Sequence, residues 1–375
     1  MNTKSFLPLL YLGALPFSAC AQQAEAPSMP SDSTTNAASI AETTTPAKAK
    51  KDTLTFALTG DIMLGTNYPS QMIPEEDAKY VLKDVKDLLV NADVALGNLE
   101  GAMTDGGKCT KGNGKNSFAF RMPTRLGIRL QEAGYDYLGI ANNHSNDFGP
   151  VGIDDTEKTL ASLGIATSGY KGHPEYAIIE RGGLRIACMA FGQNSYNLKH
   201  VDTALVRQVI LKAKKENVDL MVVSMHGGAE GRTKNHLPRH GHEIFLNEDR
   251  GALREFAHLC IDLGVDVVYG HGPHVTRCVE VHKGRFIAYS LGNFATPYGM
   301  SLAGISGYAP VVTIRTDQEG KFIDGQIHSF VQIKGEGPRK VEGDIVAKEM
   351  RNLTLSDIDN PCFTISETGE IRLKP

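Results

Sequence analysis

Gly270-His271-Gly272-Pro273-His274 follows directly on the apolar run Val265-Asp266-Val267-Val268-Tyr269. Two imidazoles therefore sit on a tight Gly/Pro turn at the end of a segment that reads as a buried strand. Strand ends are where open α/β sheets gather their chemistry, and imidazole is the commonest side-chain ligand of transition metals. A purely structural turn would more naturally use small or apolar residues. The stretch points to an α/β sheet with a metal or catalytic site along one edge.

Upstream, four more strand-like segments end in polar clusters. Residues 54–59 lead into Gly60-Asp61-Ile62-Met63-Leu64-Gly65, and 93–97 into Gly97-Asn98-Leu99-Glu100-Gly101. Residues 136–141 lead into Ala141-Asn142-Asn143-His144-Ser145-Asn146-Asp147, and 218–224 into Ser224-Met225-His226-Gly227-Gly228-Ala229-Glu230. Carboxylate, amide and imidazole are the ligand types that hold Mn, Fe or Zn while leaving positions for water. Each piece has a plainer reading: Asp61 as a cap, Asn142-Asn143 as a turn, His226 as a satisfied core histidine, Glu100 as a loop carboxylate. Five coincidences are less plausible than one site.

Between these clusters the periodicity alternates. Helical spacing occurs over 78–90, 124–133, 152–163 (ended by Gly164) and 201–217. Leu253, Phe256, Ala257, Cys260 and Leu263 form one apolar stripe, with Gly264 as its cap. Gly182-Gly183 and Lys283-Gly284 read as hairpin turns, and further strands fall near 311–315 and 322–331. The expected fold class is α/β, with mixed sheets and helices.

The strings GDIMLG from Gly60, GNLEG from Gly97, ANNHSNDFG from Ala141, HGGAE from His226, GHGPHV from Gly270 and YSLGNF from Tyr289 resemble one family. They are similar to the CapA-type capsule or poly-γ-glutamate biosynthesis proteins, within the calcineurin-like metallophosphoesterase superfamily. The resemblance spans 54–294 and implies a sandwich of two mixed β-sheets flanked by helices. It implies one or two divalent ions (Mn, Fe or Zn) held by Asp61, Asn143, His226, His271 and His274, with Asn98 or Glu100 in the bridging position. His144 and Asp61 would be the catalytic residues, His144 meeting the leaving group as a general acid. The chain departs from the superfamily pattern at Met63 (usually histidine), at Asn98 (usually aspartate), in the spacing of His271 and His274, and at Gly227.

The polar loop 227–248 carries Arg232, Lys234, His236, Arg239, His240 and His242. Cations on a strand-end loop suit an anionic substrate, so Arg232, Lys234, Arg239 and neighbouring Glu230 are candidate substrate-binding residues. A solvated charged loop is the alternative. The Lys-containing stretch 108–115 invites the same two readings. A net charge of -4 over 375 residues argues against a sequence-independent nucleic-acid binder.

At the N-terminus, Lys4, an apolar segment 6–17 and Ser18-Ala19-Cys20 suit a signal peptide. The small residues before Cys20 resemble a lipobox, which would make Cys20 the lipidated first residue. Residues 21–52, rich in Ala, Ser, Thr, Pro and Gln, read as a disordered tether. The expected organisation is signal peptide 1–19, lipidated Cys20 and tether 20–52, the CapA-type domain 53–335 and an extension 336–375 covering it. Five cysteines follow Cys20, an odd number without a C-x-x-C pair, so at least one is free.

The function expected from the resemblance is synthesis, export or anchoring of an anionic surface polymer, poly-γ-glutamate or capsular polysaccharide. The protein would hang extracytoplasmically from a membrane of the bacterial envelope, with membrane synthase or export subunits as partners. The alternatives are a non-catalytic accessory binder and a repurposed metallophosphodiesterase.

Overall fold

The computed structural model describes residues 50–112 and 117–375. The expected signal segment, Cys20 and the expected tether up to residue 49 lie outside the described residues, as do residues 113–116 of the lysine-containing stretch. Among the described residues no helix is long and apolar enough to cross a membrane.

The chain first lays down Thr53–Ile62 (β1), Val94–Leu99 (β2), Tyr137–Gly139 (β3) and Ala166–Ser168 (β4), all parallel. It then builds a second sheet from Ala177–Arg181 (β5), Leu184–Phe191 (β6), Leu220–His226 (β7), Val267–His271 (β8), Val279–His282 (β9) and Arg285–Ala288 (β10). Finally it returns to the first sheet with Asn293–Ala295 (β11), Val311–Asp317 (β12), Phe322–His328 (β13), Phe363–Ile365 (β14) and Glu370–Leu373 (β15). The first sheet has the order β14-β15-β13-β12-β1-β2-β3-β4, with β11 beside β1; the second has the order β9-β10-β8-β7-β6-β5. Its middle strands are parallel, and its edge strands β5 and β9 are antiparallel.

Period-two alternation produces the layers. In β7, Leu220 and Val222 face the other sheet, while Met221, Val223 and Met225 face helices; in β1, Leu54, Phe56 and Leu58 oppose Ala57 in the same way. Helices Lys86–Val90 (α1), Gly127–Ala133 (α2) and Gly149–Ser162 (α3) connect the parallel strands of the first sheet. Thr203–Lys214 (α4) and Leu253–Asp262 (α5) do so for the second, which such parallel pairs require. The expected sandwich of two mixed sheets flanked by helices is the one formed.

Local sequence explains several elements. Asp202 caps α4, its carboxylate accepting from the Leu205 amide at 3.0 Å, and Lys212 and Lys214 complement the negative helix end. In α5, Leu253, Phe256, Ala257 and Cys260 of the predicted stripe are buried, with Leu263 half-buried and Ile261 buried in addition; Phe256→Ala there would cost about 3–5 kcal/mol. Gly182 and Gly183 take φ of 57° and 77° between β5 and β6, the left-handed pair that a two-residue hairpin needs. The helix expected over 78–90 is a correction. Only Lys86–Val90 is α-helical, although Val81, Leu82, Val85 and Leu89 are buried. The amides of Val81, Lys83 and Val85 bond three residues back, so successive tight turns present the same apolar face. Past β13, Ile345–Asp357 (α6) places Val346, Ala347 and Met350 in the inter-sheet layer.

Candidate metal centre

The same alternation that builds the core delivers the polar residues. Asn98 lies on the inward face of β2 with Val94 and Leu96; Ser224 and His226 follow Leu220 and Val222; His271 follows Val267 and Tyr269. Strict alternation in β1 would turn Asp61 toward the helices. Instead, an extra residue lies between the pairs Leu58–Leu96 and Asp61–Asn98, and this irregularity brings Asp61 beside Asn98. His226 and His271 are register partners, and Tyr269 ties the sheets together through a 2.9 Å bond to the Gly97 carbonyl. Gly272, at φ 114°, lets the chain turn against the Gly227 backbone, where a Cβ would stand 2.6 Å from the carbonyl oxygen.

Asp61, His226 and His271 offer ligand atoms that all lie within 4.8 Å of one another, and all three residues are buried. The Nδ1 atoms of His226 and His271 are 2.9 Å apart, while Ser224 Oγ lies 2.8 Å from His271 Nε2 and Asn143 Oδ1 lies 3.0 Å from His226 Nε2. These outer contacts hold the rings so that both Nδ1 atoms face inward. His274 Nδ1 is 3.2 Å from Asp61 Oδ2 and 2.9 Å from Asn293 Oδ1. Glu100 Oε2 stands 3.5 Å from His226 Nδ1. Buried Glu100 Oε1 has no hydrogen-bond partner, and Asp61 Oδ2 has only the 3.2 Å contact with His274.

Burial and the neighbouring His271 hold His226 well below the usual histidine range, and burial takes His271 to about 4. Burial also opposes charge on His274, but Asp61 outweighs it and raises that ring to about 9. Burial and Asp61 push Glu100 well above the carboxylate range. Unprotonated imidazoles beside an orphaned carboxylate oxygen fit a divalent cation.

Asn98, expected as a possible ligand, is a correction. Its amide nitrogen donates to Asp61 Oδ1 and Glu100 Oε2, each at 2.8 Å, while its oxygen accepts from Asn142 at 3.2 Å. It ties the two carboxylates together instead of offering them a lone pair. The structure brings His144 to the same cleft, with Nδ1 2.9 Å from both Asp147 Oδ2 and Lys111 Nζ. One nitrogen cannot donate to the first and accept from the second at once. Lys111 also pairs with Asp147 Oδ1 at 3.0 Å, so we assign the ring proton to the bond with Asp147. Burial lowers the His144 pKa, with Asp147 opposing.

The loop cations are not brought to this cluster. Arg232 and Lys234 are exposed, and Arg239 pairs with Asp359. Among the described residues, Lys111 and Arg250 are the cations lining the cleft of about 300 Å³ beside Asn143 and His144. Glu230 also lines it, 2.9 Å from Arg250 and 3.9 Å from His274. Lys111 belongs to the stretch 108–115 read as a candidate substrate contact, whereas sequence reasoning missed Arg250, Asp147, Ser224 and Asn293 in these roles. Ser224 was findable, being two residues before His226 and so on the same strand face.

The chain is 27% identical over 276 residues to capsule biosynthesis protein CapA of Bacillus anthracis, covering 69% of this chain and 64% of that protein. It is 27% identical over 263 residues to PGA biosynthesis protein CapA of Bacillus subtilis (strain 168), covering 66% and 64%. It thus spans less than two thirds of the length of either relative. Among solved structures, the calcineurin-like phosphoesterase YfkN from Bacillus subtilis aligns over 80% of this chain and 96% of its own, at 14% identity and a TM-score of 0.43. A 5'-nucleotidase precursor from Thermus thermophilus aligns over 74% and 54%, at 12% identity and a TM-score of 0.43. A family model described as bacterial capsule synthesis protein PGA_cap matches residues 55–298, more than half of the sequence, and the chain belongs to that family.

Proposed function

We propose that this protein acts on an anionic surface polymer, poly-γ-glutamate or a capsular polysaccharide, by metal-dependent hydrolysis or transfer. The reading rests on one observation above the others: Glu100 Oε1 is buried without a donor and Asp61 Oδ2 faces only the His274 ring, beside His226 and His271, which burial keeps unprotonated. Asp61, Glu100, His226, His271 and His274 would hold one or two ions of Mn, Fe or Zn, with Asn143 joining them if its oxygen leaves His226 Nε2. A bound cation there would supply an acidified water and polarise a carbonyl or phosphoryl oxygen.

The chain's own residues do the rest. Asp61 orients the His274 ring and keeps a proton on it, and a cation would compete with that proton for the same lone pair. Asp147 accepts the Nδ1 proton of the His144 ring and steadies its charged form, so that Nε2, once it has itself taken up a proton, can pass it to the leaving group. Lys111 and Arg250 draw an anionic chain toward the cleft. With Cys20 lipidated and the tether beyond it, the domain would hang from an envelope membrane and meet membrane synthase or export subunits.

Buried Met63, where the superfamily usually has histidine, favours a second reading: a polymer- or partner-binding accessory with an incomplete metal set. Metal content per chain and turnover of a chromogenic phosphodiester and of a γ-glutamyl substrate, in wild type and His271→Ala, separate the two. Loss of the strand-end metal together with turnover supports catalysis. A polymer-binding protein with neither metal nor turnover, after reconstitution with Mn and Zn, is the accessory.

A further inference from the structure

We propose a second cation site, formed by His258, Glu280 and His282, at the seam between α5 and edge strand β9, which takes zinc or another borderline divalent ion. Each of the three offers a ligand atom within 4.8 Å of the others. The site is separate from the strand-end cluster. His226 and His271 close the C-terminal ends of β7 and β8, whereas β9 runs antiparallel to β10, so His282 opposite Arg285 lies at the other end of the sheet. Alternation explains the convergence: Val279 and Val281 enter the inter-sheet layer, which turns Glu280 and His282 to the helix side, where His258 waits at the edge of the apolar stripe.

The plain alternative is a self-satisfied polar cluster, and half of this one is. Glu280 Oε2 accepts from the Tyr289 hydroxyl at 2.6 Å and lies 3.0 Å from His258 Nε2. The other half is not satisfied. The His282 ring makes no hydrogen bond among the described residues: its Nδ1 is 3.9 Å from Glu280 Oε1 and its Nε2 is 3.8 Å from Asp262 Oδ1. Those gaps are too long for hydrogen bonds; tetrahedral zinc ligands at about 2.1 Å stand ~3.4 Å apart, so His282 and Glu280 need close by only about half an ångström to share an ion. Two imidazoles and a carboxylate, with room for water, form a donor set suited to zinc.

The rings of His258 and His282 stack at 3.8 Å and 7°, so one must tilt for its lone pair to converge with the other. Their side chains are 28% and 23% exposed, and such a tilt disturbs no core packing. A bound ion would clip β9 to α5, a stabilising role far from the proposed chemistry.

The test uses full-length protein with the strand-end cluster disabled by His271→Ala. Zinc equilibrium dialysis should leave one equivalent bound and zinc should raise Tm; adding His258→Gln and His282→Gln should remove both effects. No zinc in His271→Ala, or equal zinc with and without the two glutamines, overturns the proposal. Glu280→Gln, which keeps an acceptor for Tyr289, should also weaken zinc binding at least tenfold, and unchanged affinity counts against the site. Zinc-edge absorption of the wild type supplies a readout independent of any variant's folding; a second zinc environment with two histidines and a carboxylate is expected, and a single environment overturns the site.

Discussion

The strand-end cluster and the His258–Glu280–His282 seam contain the same residue types, yet they are built differently. At the strand ends, the carboxylates are buried, Glu100 Oε1 has no partner, and His226 and His271 are shielded from protons with their rings held by Asn143 and Ser224. At the seam, Glu280 is already bonded to Tyr289 and His258, and two rings lie stacked at the surface. Composition alone cannot rank the two. What separates them is desolvation: an unpaired polar group costs little where water reaches it and a great deal where water does not.

The largest effect expected is at the strand ends. Asp61→Ala removes the carboxylate that faces both His271 and His274. The strand-end metal should be lost and hydrolysis should fall by more than about 10⁴-fold, beyond what the loss of a general acid alone costs. Retained metal and rate would break the assignment. Next, His144→Gln should lower the rate about 10²–10⁴-fold with metal content unchanged, read by turnover alongside metal analysis. Loss of metal with the rate would make His144 structural instead.

A third prediction concerns pH. His200, buried behind Gly227 and Gly251, has neither ring nitrogen bonded, and burial takes it from 6.5 to about 4. As pH falls below 6.5 the unfolded chain gains this proton before the folded one, so stability should drop between pH 6.5 and 4. One such group contributes a loss of roughly 3 kcal/mol across that window. Urea titrations at several pH values should show a shallower slope in His200→Gln; an unchanged slope would place the proton elsewhere. The smallest effect belongs to the seam. His258→Gln without zinc should change stability by less than about 1 kcal/mol, as for other surface ion pairs, and leave turnover unchanged.

Much of the fold was legible because it follows local rules. The Gly182-Gly183 hairpin, the buried stripe of α5 and the run before His271 each carry their own period or turn chemistry. Residues 78–90 misled because apolar spacing reports which face is buried, not which hydrogen-bond ladder carries it; tight turns satisfied it as well as a helix would. The short strands β4, β11, β14 and β15 take their pairing from neighbours distant in sequence, so no local signal announces them. The loop cations misled because proximity in sequence to His226 is not proximity in space: Arg239 turns to Asp359, and Lys111 and Arg250 line the cleft instead.

The sequence by itself determined the α/β layering, the five polar strand ends and the family resemblance, because apolar period and strand-end chemistry are both local properties. Only the tertiary structure decided which polar residues meet. The irregularity after Leu58 turns Asp61 inward, Asn142 takes the Asn98 oxygen and leaves its amide facing the carboxylates, and Asp147 reaches the His144 ring. Side-chain facing at a bulge and the direction of an amide depend on partners tens of residues away, and those partners are fixed only when the sheets close.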